Sequence, residues 1–434
     1  MEKKKVNNKN IKRTKKSSKQ DYFVYECLSA LIVTVILFIV SLLSLVGKDR
    51  EYSENENRYL TTKPQFSWSS LMDGKFMDDA EAYLSDQFLF RDKLVSLRTD
   101  IDVFFGKREI NDVYIGKKHF LFEKPSVYNE ARVKKTTDAM NNLKAKNQGI
   151  NTYIAIAPNS TEILGDYLPS NAPVPNQTEQ INKIYQSLSG YTPIDLCGPL
   201  KKAQDPQDLY YRTDHHWTCK AVDIAYLEIA KGMGLDPAAY QYQNLPVTDS
   251  FQGTLASSAG IFSAKDTISV PTCPSDVMYR VTYVDENRVT TTVFDPQKLN
   301  AKSKYEVFFG GNYSQVVIES SSSSDKVLMV VKDSYANSLI PLLIPHYKKI
   351  IIVDPRYYND NIQNIIDTEG VTDMLWLYNA NTFLNVAGQR QAFVSRLDRQ
   401  TACFRRARMF TPARSADRTR GPVTWWSMCA NRSM

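Results

Sequence analysis

Leu28 to Val46 is a run of nineteen uncharged, mostly apolar residues, bounded by Glu26 on one side and by Lys48-Asp49-Arg50 on the other. At about 1.5 Å per helical residue, a run of this length crosses a hydrocarbon core of roughly 30 Å. The pattern then changes. Glu51 to Trp68 is polar and proline-interrupted and reads as a stalk. From Leu71 to Phe105 apolar residues recur at spacings of three and four (Phe76, Ala80, Tyr83, Leu84, Phe88, then Leu94, Leu97, Ile101, Phe104), which predicts one or two amphipathic helices ended by Gly106.

Beyond Gly106, short apolar runs alternate with helical periodicity. Val113 to Gly116 and His119 to Phe122 predict a hairpin, Ala131 to Asn147 a helix, Asn151 to Ala157 a buried strand, Gln177 to Ser189 a helix, and Thr192 to Leu196 a short strand. Thr218 in N-cap position and Gly232 as exit bracket a further helix. Residues 251–305, richer in Ser, Thr and Val, suggest a small antiparallel insertion. Gln315 to Ile318 predicts a strand. Lys326 to Val331 is a buried strand followed by the turn Lys332-Asp333-Ser334 and a helix that Pro341 should kink or end. Lys349 to Val353 and Met374 to Tyr378 close the series. Alternation of this kind indicates an α/β fold around a mostly parallel sheet, with functional groups in loops at the carboxyl ends of strands.

Charge divides the chain of 434 residues more sharply than its net +7 suggests. Residues 1–20 hold nine Lys/Arg against Glu2, and residues 391–434 hold nine Arg against Asp398 and Asp417, so removing the two ends from the total leaves −8 for residues 21–390. A mildly acidic body gives no ground for nucleic-acid binding. The lysine-rich flank places residues 1–20 in the cytoplasm and the bulk of the chain outside, by the positive-inside rule. The apolar run exceeds the h-region of a cleaved leader and no A-x-A-like site follows, so it reads as an uncleaved signal anchor. The expected organisation is a cytoplasmic tail 1–20, an anchor 21–47, a stalk with amphipathic helices 48–110, a catalytic domain 111–390 and an atypical tail 391–434. No C-x-x-C pair occurs, and Cys197, Cys219 and Cys273 leave one disulfide or buried thiols as open alternatives.

Two of the four histidines stand in Tyr211-Arg212-Thr213-Asp214-His215-His216-Trp217. A serine hydroxyl needs a neutral imidazole to take its proton, and the imidazole needs an acceptor that fixes its tautomer. Asp214 and His216 at i and i+2 meet this need if Ser334, at the end of its buried strand, is presented to the same edge. Each also has a plain structural role: Asp214 and Ser334 as helix caps, His215 and Trp217 as packing. Asn312, after Gly310-Gly311, is a candidate oxyanion donor or a tight-turn residue. Arg356 is a candidate for an anionic substrate group or a partner of Asp354, and Tyr335 is a further substrate or oxyanion candidate. A metal on Asp214, His215 and His216 is the rival chemistry, disfavoured because adjacent histidines point apart on an extended segment.

These residues resemble the bacterial DHHW family, named for the tetrapeptide seen here as Asp214-His215-His216-Trp217. Further shared motifs are Glu56-Asn57-Arg58, Val113 to Gly116, Phe308-Phe309-Gly310-Gly311-Asn312, Lys332 to Ser338 and Asp354 to Tyr358. The family in turn is similar to the SGNH-hydrolase-like domain of alginate O-acetyltransferases, with Lys332 standing where those enzymes have Gly. The resemblance implies a flavodoxin-like sheet flanked by helices, with Asp214 as orienter, His216 as base and Ser334 as nucleophile. It implies O-acetylation of a cell-surface polysaccharide through an acetyl-serine, with no cofactor and with a membrane-bound O-acyltransferase as acetyl donor at the cytoplasmic membrane. A deacetylating esterase with the same triad and a non-catalytic glycan-binding scaffold are the alternatives.

Overall fold

The computed structural model describes residues 6–53, 58–272 and 277–389; the arginine-rich tail 391–434, the Glu56-Asn57 pair and Cys273 lie outside the described residues. Its frame is a mixed sheet of eight strands. In chain order these are β1 (Asn151–Ala157), β2 (Thr192–Ile194), β3 (Tyr279–Tyr283), β4 (Arg288–Thr290), β5 (Gln315–Ser320), β6 (Val327–Lys332), β7 (Lys349–Val353) and β8 (Asp373–Asn379). They lie in the order β4-β3-β5-β7-β6-β8-β1-β2. Pairing is parallel from β7 through β6, β8 and β1 to β2, and antiparallel from β7 outward through β5, β3 and β4.

The central strands are apolar between their ends because both faces are covered. Leu328 and Val330 of β6 point into one core with Leu375 and Leu377 of β8, closed by the helix Cys219–Met233. Met329 and Val331 point into the other with Met374 and Trp376, closed by the helices Glu130–Lys146, Gln177–Gln186, Ile362–Glu369 and Ala380–Gln389. Each such side chain contributes about 1.5–3 kcal/mol of burial. A strand of this kind tolerates no polar residue until its end, which is where β6 delivers Lys332, Asp333 and Ser334.

Several local expectations change. The antiparallel hairpin β3–β4 joins the main sheet, β3 pairing with β5. Elsewhere in 251–305 the described residues form a short helix, Thr254–Ala259, a strand, Asp266–Pro271, paired with Asn244–Phe251, and 3-10 turns at Pro296–Asn300 and Lys304–Val307. Pro341 neither kinks nor ends a helix; it sits in the first turn of Ile340–Leu343, where its missing N–H costs nothing, after a 3-10 turn over Ser334–Ser338. The helix begun at Cys219 runs through Gly232 and ends at Gly234, whose left-handed φ of 65° makes it the better C-cap. Thr218 holds the N-cap position without capping, since its hydroxyl donates instead to the Asp208 carbonyl.

At the N-terminus a helix spans Val6–Val46, and Tyr22–Ser44 within it is long and apolar enough to cross a membrane, with mean hydropathy 2.7. The predicted amphipathic segment resolves into the helices Trp68–Met72, Lys75–Gln87 and Arg91–Phe104.

Candidate active site

The Asp-His-His-Trp segment folds back on itself. Tyr210 and Trp217 form an antiparallel bridge, the Tyr211 N–H donates to the His216 carbonyl, and the Thr218 N–H donates to the Leu209 carbonyl. Asp214 and His216 are thereby carried at the tip of a closed loop. Two donors tie the loop to the turn after β6: the Trp217 indole N–H donates to the Tyr335 carbonyl and the Ser338 hydroxyl, 3.1 Å each, and the Tyr335 hydroxyl donates to the His215 carbonyl. Trp217 is therefore packing with a polar anchor, as a buried indole requires.

The loop and the strand end bring together three residues that are 118 positions apart at the long step. Asp214 Oδ1 lies 2.5 Å from His216 Nδ1, and His216 Nε2 lies 2.8 Å from Ser334 Oγ. The carboxylate is held in place by four more groups: the His216 N–H reaches Oδ1 at 3.0 Å, the Thr254 N–H and hydroxyl reach Oδ2 at 2.8 and 3.0 Å, and Gly253 closes against it. A Cβ on Gly253 would stand 2.2 Å from the Asp214 Cβ, so only glycine admits this approach. Tyr305 stacks on the imidazole, ring centroids 3.7 Å apart and planes within 13°, with its hydroxyl donated to Ser338. The ring of His216 is thus fixed by an in-plane bond at each nitrogen and by an aromatic face.

Electrostatics follow from burial. Desolvation opposes ionisation of Asp214, yet the neighbouring imidazoles and the Thr254 donors hold its carboxyl well below the usual range. Desolvation, aided by His215, pushes the His216 imidazole down to about 4 against the pull of Asp214. The ring is neutral at physiological pH and presents a lone pair toward Ser334.

A cavity opens over Ser334, lined by polar groups that include His215, Gln252, Lys302, Glu306, Asn312 and Arg356. Asn312, in the lining, accepts at Oδ1 from Lys332 Nζ at 3.0 Å and from Asn337 Nδ2 at 3.2 Å. Arg356 is clasped by the buried Asp354, Nε to Oδ1 at 2.9 Å and Nη2 to Oδ2 at 2.6 Å, while still lining the cavity. Lys332, where the resemblance leads one to expect glycine, leaves the turn intact. Its buried ammonium spans Asn312 and Asp354, the latter at 3.5 Å, and burial holds its pKa below the ordinary lysine value.

Tyr335, a further substrate or oxyanion candidate, is not among the residues lining this cavity: its side chain is buried, its hydroxyl donates to the His215 carbonyl, and its N–H donates to Asp333 Oδ1 at 2.9 Å. Adjacent histidines do not point apart here. Their rings lie 3.9 Å from each other, and ligand atoms of Asp214, His215 and His216 fall within 4.8 Å. Both His216 nitrogens already have partners in Asp214 and Ser334, so a metal there would have to displace those bonds. Cys197 and Cys219 are buried free thiols. Sequence reasoning missed Gly253, Thr254 and Tyr305; only the Gly-Thr pair before a short helix carried a signal, as a close-approach glycine.

The fold is that of an SGNH-hydrolase-like domain: a mixed sheet flanked by helices, matched over residues 113–307 by the family model for the SGNH hydrolase-like domain of the acetyltransferase AlgX. That stretch includes Asp214 and His216 and stops before Ser334. The chain is similar to a DHHW family protein from Eubacterium siraeum (20% identity, 67% of this chain, 96% of that one, TM-score 0.56) and to Bacillus cereus PatB1, solved with a sulfonyl adduct (20%, 64%, 97%, 0.54). It is also 22% identical over 170 residues to the probable alginate O-acetylase AlgJ of Pseudomonas syringae pv. tomato, covering 36% of this chain and 42% of that protein. The chain thus spans less than half the length of the curated relatives it matches.

Proposed function

We propose that this chain is a membrane-anchored, extracytoplasmic O-acetyltransferase that modifies a cell-surface polysaccharide through an acetyl-serine at Ser334. The observation that carries the reading is the continuous chain Asp214 Oδ1, His216 Nδ1, His216 Nε2, Ser334 Oγ, with steps of 2.5 and 2.8 Å. His216 takes the Oγ proton as Oγ attacks the acetyl carbonyl of the donor, and Asp214 compensates the imidazolium that forms. The Ser334 N–H and Asn312 NH2 receive the developing oxyanion. Collapse expels the donor's leaving group, which takes the proton from His216. A sugar hydroxyl then gives its proton to His216 and attacks the acetyl-serine; collapse releases the O-acetyl sugar and returns the proton to Oγ.

The polar cavity lining suits a saccharide, and similarity to a probable alginate O-acetylase and to the AlgX-type domain supports a polysaccharide as the substrate class. The N-terminal apolar helix supports the anchor, and outside the membrane a membrane-bound O-acyltransferase is the fitting acetyl donor. The test is to give the purified chain an activated acetyl ester with oligosaccharide acceptors. Acetylated sugar, lost in Ser334→Ala, supports a transferase. Free acetate alone, equally lost, would make the protein an esterase, and no turnover of either kind would leave a glycan-binding scaffold.

A further inference from the structure

The helices Lys75–Gln87 and Arg91–Phe104 present a contradiction that water cannot resolve. The apolar stripe Leu94, Leu97, Ile101 and Phe104 recurs at i, i+3, i+7 and i+10, a face that in a globular protein packs against the core. Among the described residues nothing covers it: Phe104 is 84% exposed, and Leu94, Leu97 and Ile101 are exposed too. Met77 and Leu84 of the first helix and Phe90 at the elbow extend the surface. Met77, Leu84 and Leu94 line one shared groove, and large apolar side chains left exposed in this number mark a surface that meets something apolar.

What it meets follows from how the elbow is held. The Leu89 N–H donates to Ser44 Oγ at 2.9 Å, and Ser44 is the last residue of the candidate membrane span. Below it, Gln87 and Arg50 exchange side-chain-to-backbone bonds of 2.9 Å, the Tyr83 hydroxyl donates to Asp49 at 2.7 Å, and Arg50 pairs with Asp92 at 3.0 Å. The elbow is therefore clamped at the depth where the span leaves the hydrocarbon. Phe90, 59% exposed, stands at that level with Lys93 Nζ 5.8 Å from its ring, an aromatic-plus-cation pairing suited to the headgroup boundary. At its other side the second helix is docked on the domain, Thr99 Oγ1 donating to the Ala259 carbonyl at 3.1 Å.

We propose that this helical elbow lies on the outer leaflet of the bilayer, with the Phe90-to-Phe104 face in the headgroup–acyl boundary, and acts as a bracket rather than a stalk. Because Ala259 ends the helix whose Thr254 holds Asp214, the bracket fixes the candidate active site at one height above the membrane. The proposal rests on the anchor reading. The full chain is reconstituted in phosphatidylcholine/phosphatidylglycerol vesicles with the photo-crosslinker p-benzoylphenylalanine placed in turn at Leu37 in the span, at Phe90, at Phe104, and at exposed Val289 on the outermost sheet strand. Lipid adducts at positions 90 and 104 approaching those at 37, with few at 289, are expected. Adducts at 37 without adducts at 90 and 104, or crosslinks from those positions to a second copy of the chain instead of lipid, would overturn the bracket. Absence of lipid adducts at 37 as well would sink the anchor and the bracket together.

Discussion

Ser334, His216 and Asp214 differ in what their removal should do. Ser334→Ala and His216→Ala each remove a reacting group and should lower turnover by about 10⁴-fold or more with the fold intact. Asn312→Ala removes one of two proposed oxyanion donors and should lower kcat by about 10²–10³-fold with little change in KM, measured with an activated ester. Lys332→Met should act in the same direction through Asn312, since it leaves that amide held by Asn337 alone. It should also cost about 1–3 kcal/mol in chemical denaturation, because Asp354 loses a buried donor. The pH profile has a defined sign. Neutral His216 is the working form, and burial moves its titration from the ordinary value near 6.5 down to about 4. Activity should therefore hold as pH falls through 6.5 and fail only near the lowered value; an acid limb with its midpoint at 6.5 would show that the imidazole is not buried as described. At this scale the sequence singled out Asp214, His216 and Ser334 by residue type, and the fold brings them within hydrogen-bond reach. It was silent on Tyr305, which reaches the imidazole only through tertiary folding, and on the bond by which the Tyr335 phenol joins two loops.

Elements that run through the core were legible, and those that depend on a neighbour were not. β1 and β7 have the bounds expected from the sequence, because a strand covered on both faces must be apolar along its middle and so stands out. The β3–β4 hairpin read correctly as antiparallel, yet no alternation pattern states which edge it joins. Pro341 was misread because the same missing N–H that ends a helix interior is harmless in a first turn. The element that most directly shapes the site is the loop closed by Tyr210 and Trp217. Trp217→Phe keeps the packing and deletes the indole N–H, so it should destabilise by about 1–3 kcal/mol and lower activity through displacement of His216. Gly253→Ala should be worse for activity than for stability, since the added methyl meets Asp214 itself. Comparing thermal midpoints with kcat for the two variants separates the effects.

At the scale of the whole molecule, a sheet with two buried faces presents the ends of β6 and β7 to one cavity, and an N-terminal helix and elbow stand before it. The α/β class was readable from alternating patterns; the uncovered stripe on Arg91–Phe104 was readable as amphipathic but not as surface. If the Asp214, His215 and His216 cluster works as a proton relay and not as a ligand set, prolonged chelation should leave turnover unchanged, whereas loss restored by a divalent ion would assign the cluster to a metal. The proposed reaction requires that Ser334 Oγ become acetylated. Brief incubation with an activated acetyl ester, acid quench and peptide mass spectrometry reads this directly. Acetyl on the peptide containing Ser334, absent in Ser334→Ala and strongly reduced in His216→Ala, is the predicted result. An unmodified Ser334 peptide under conditions where the ester is turned over would contradict it.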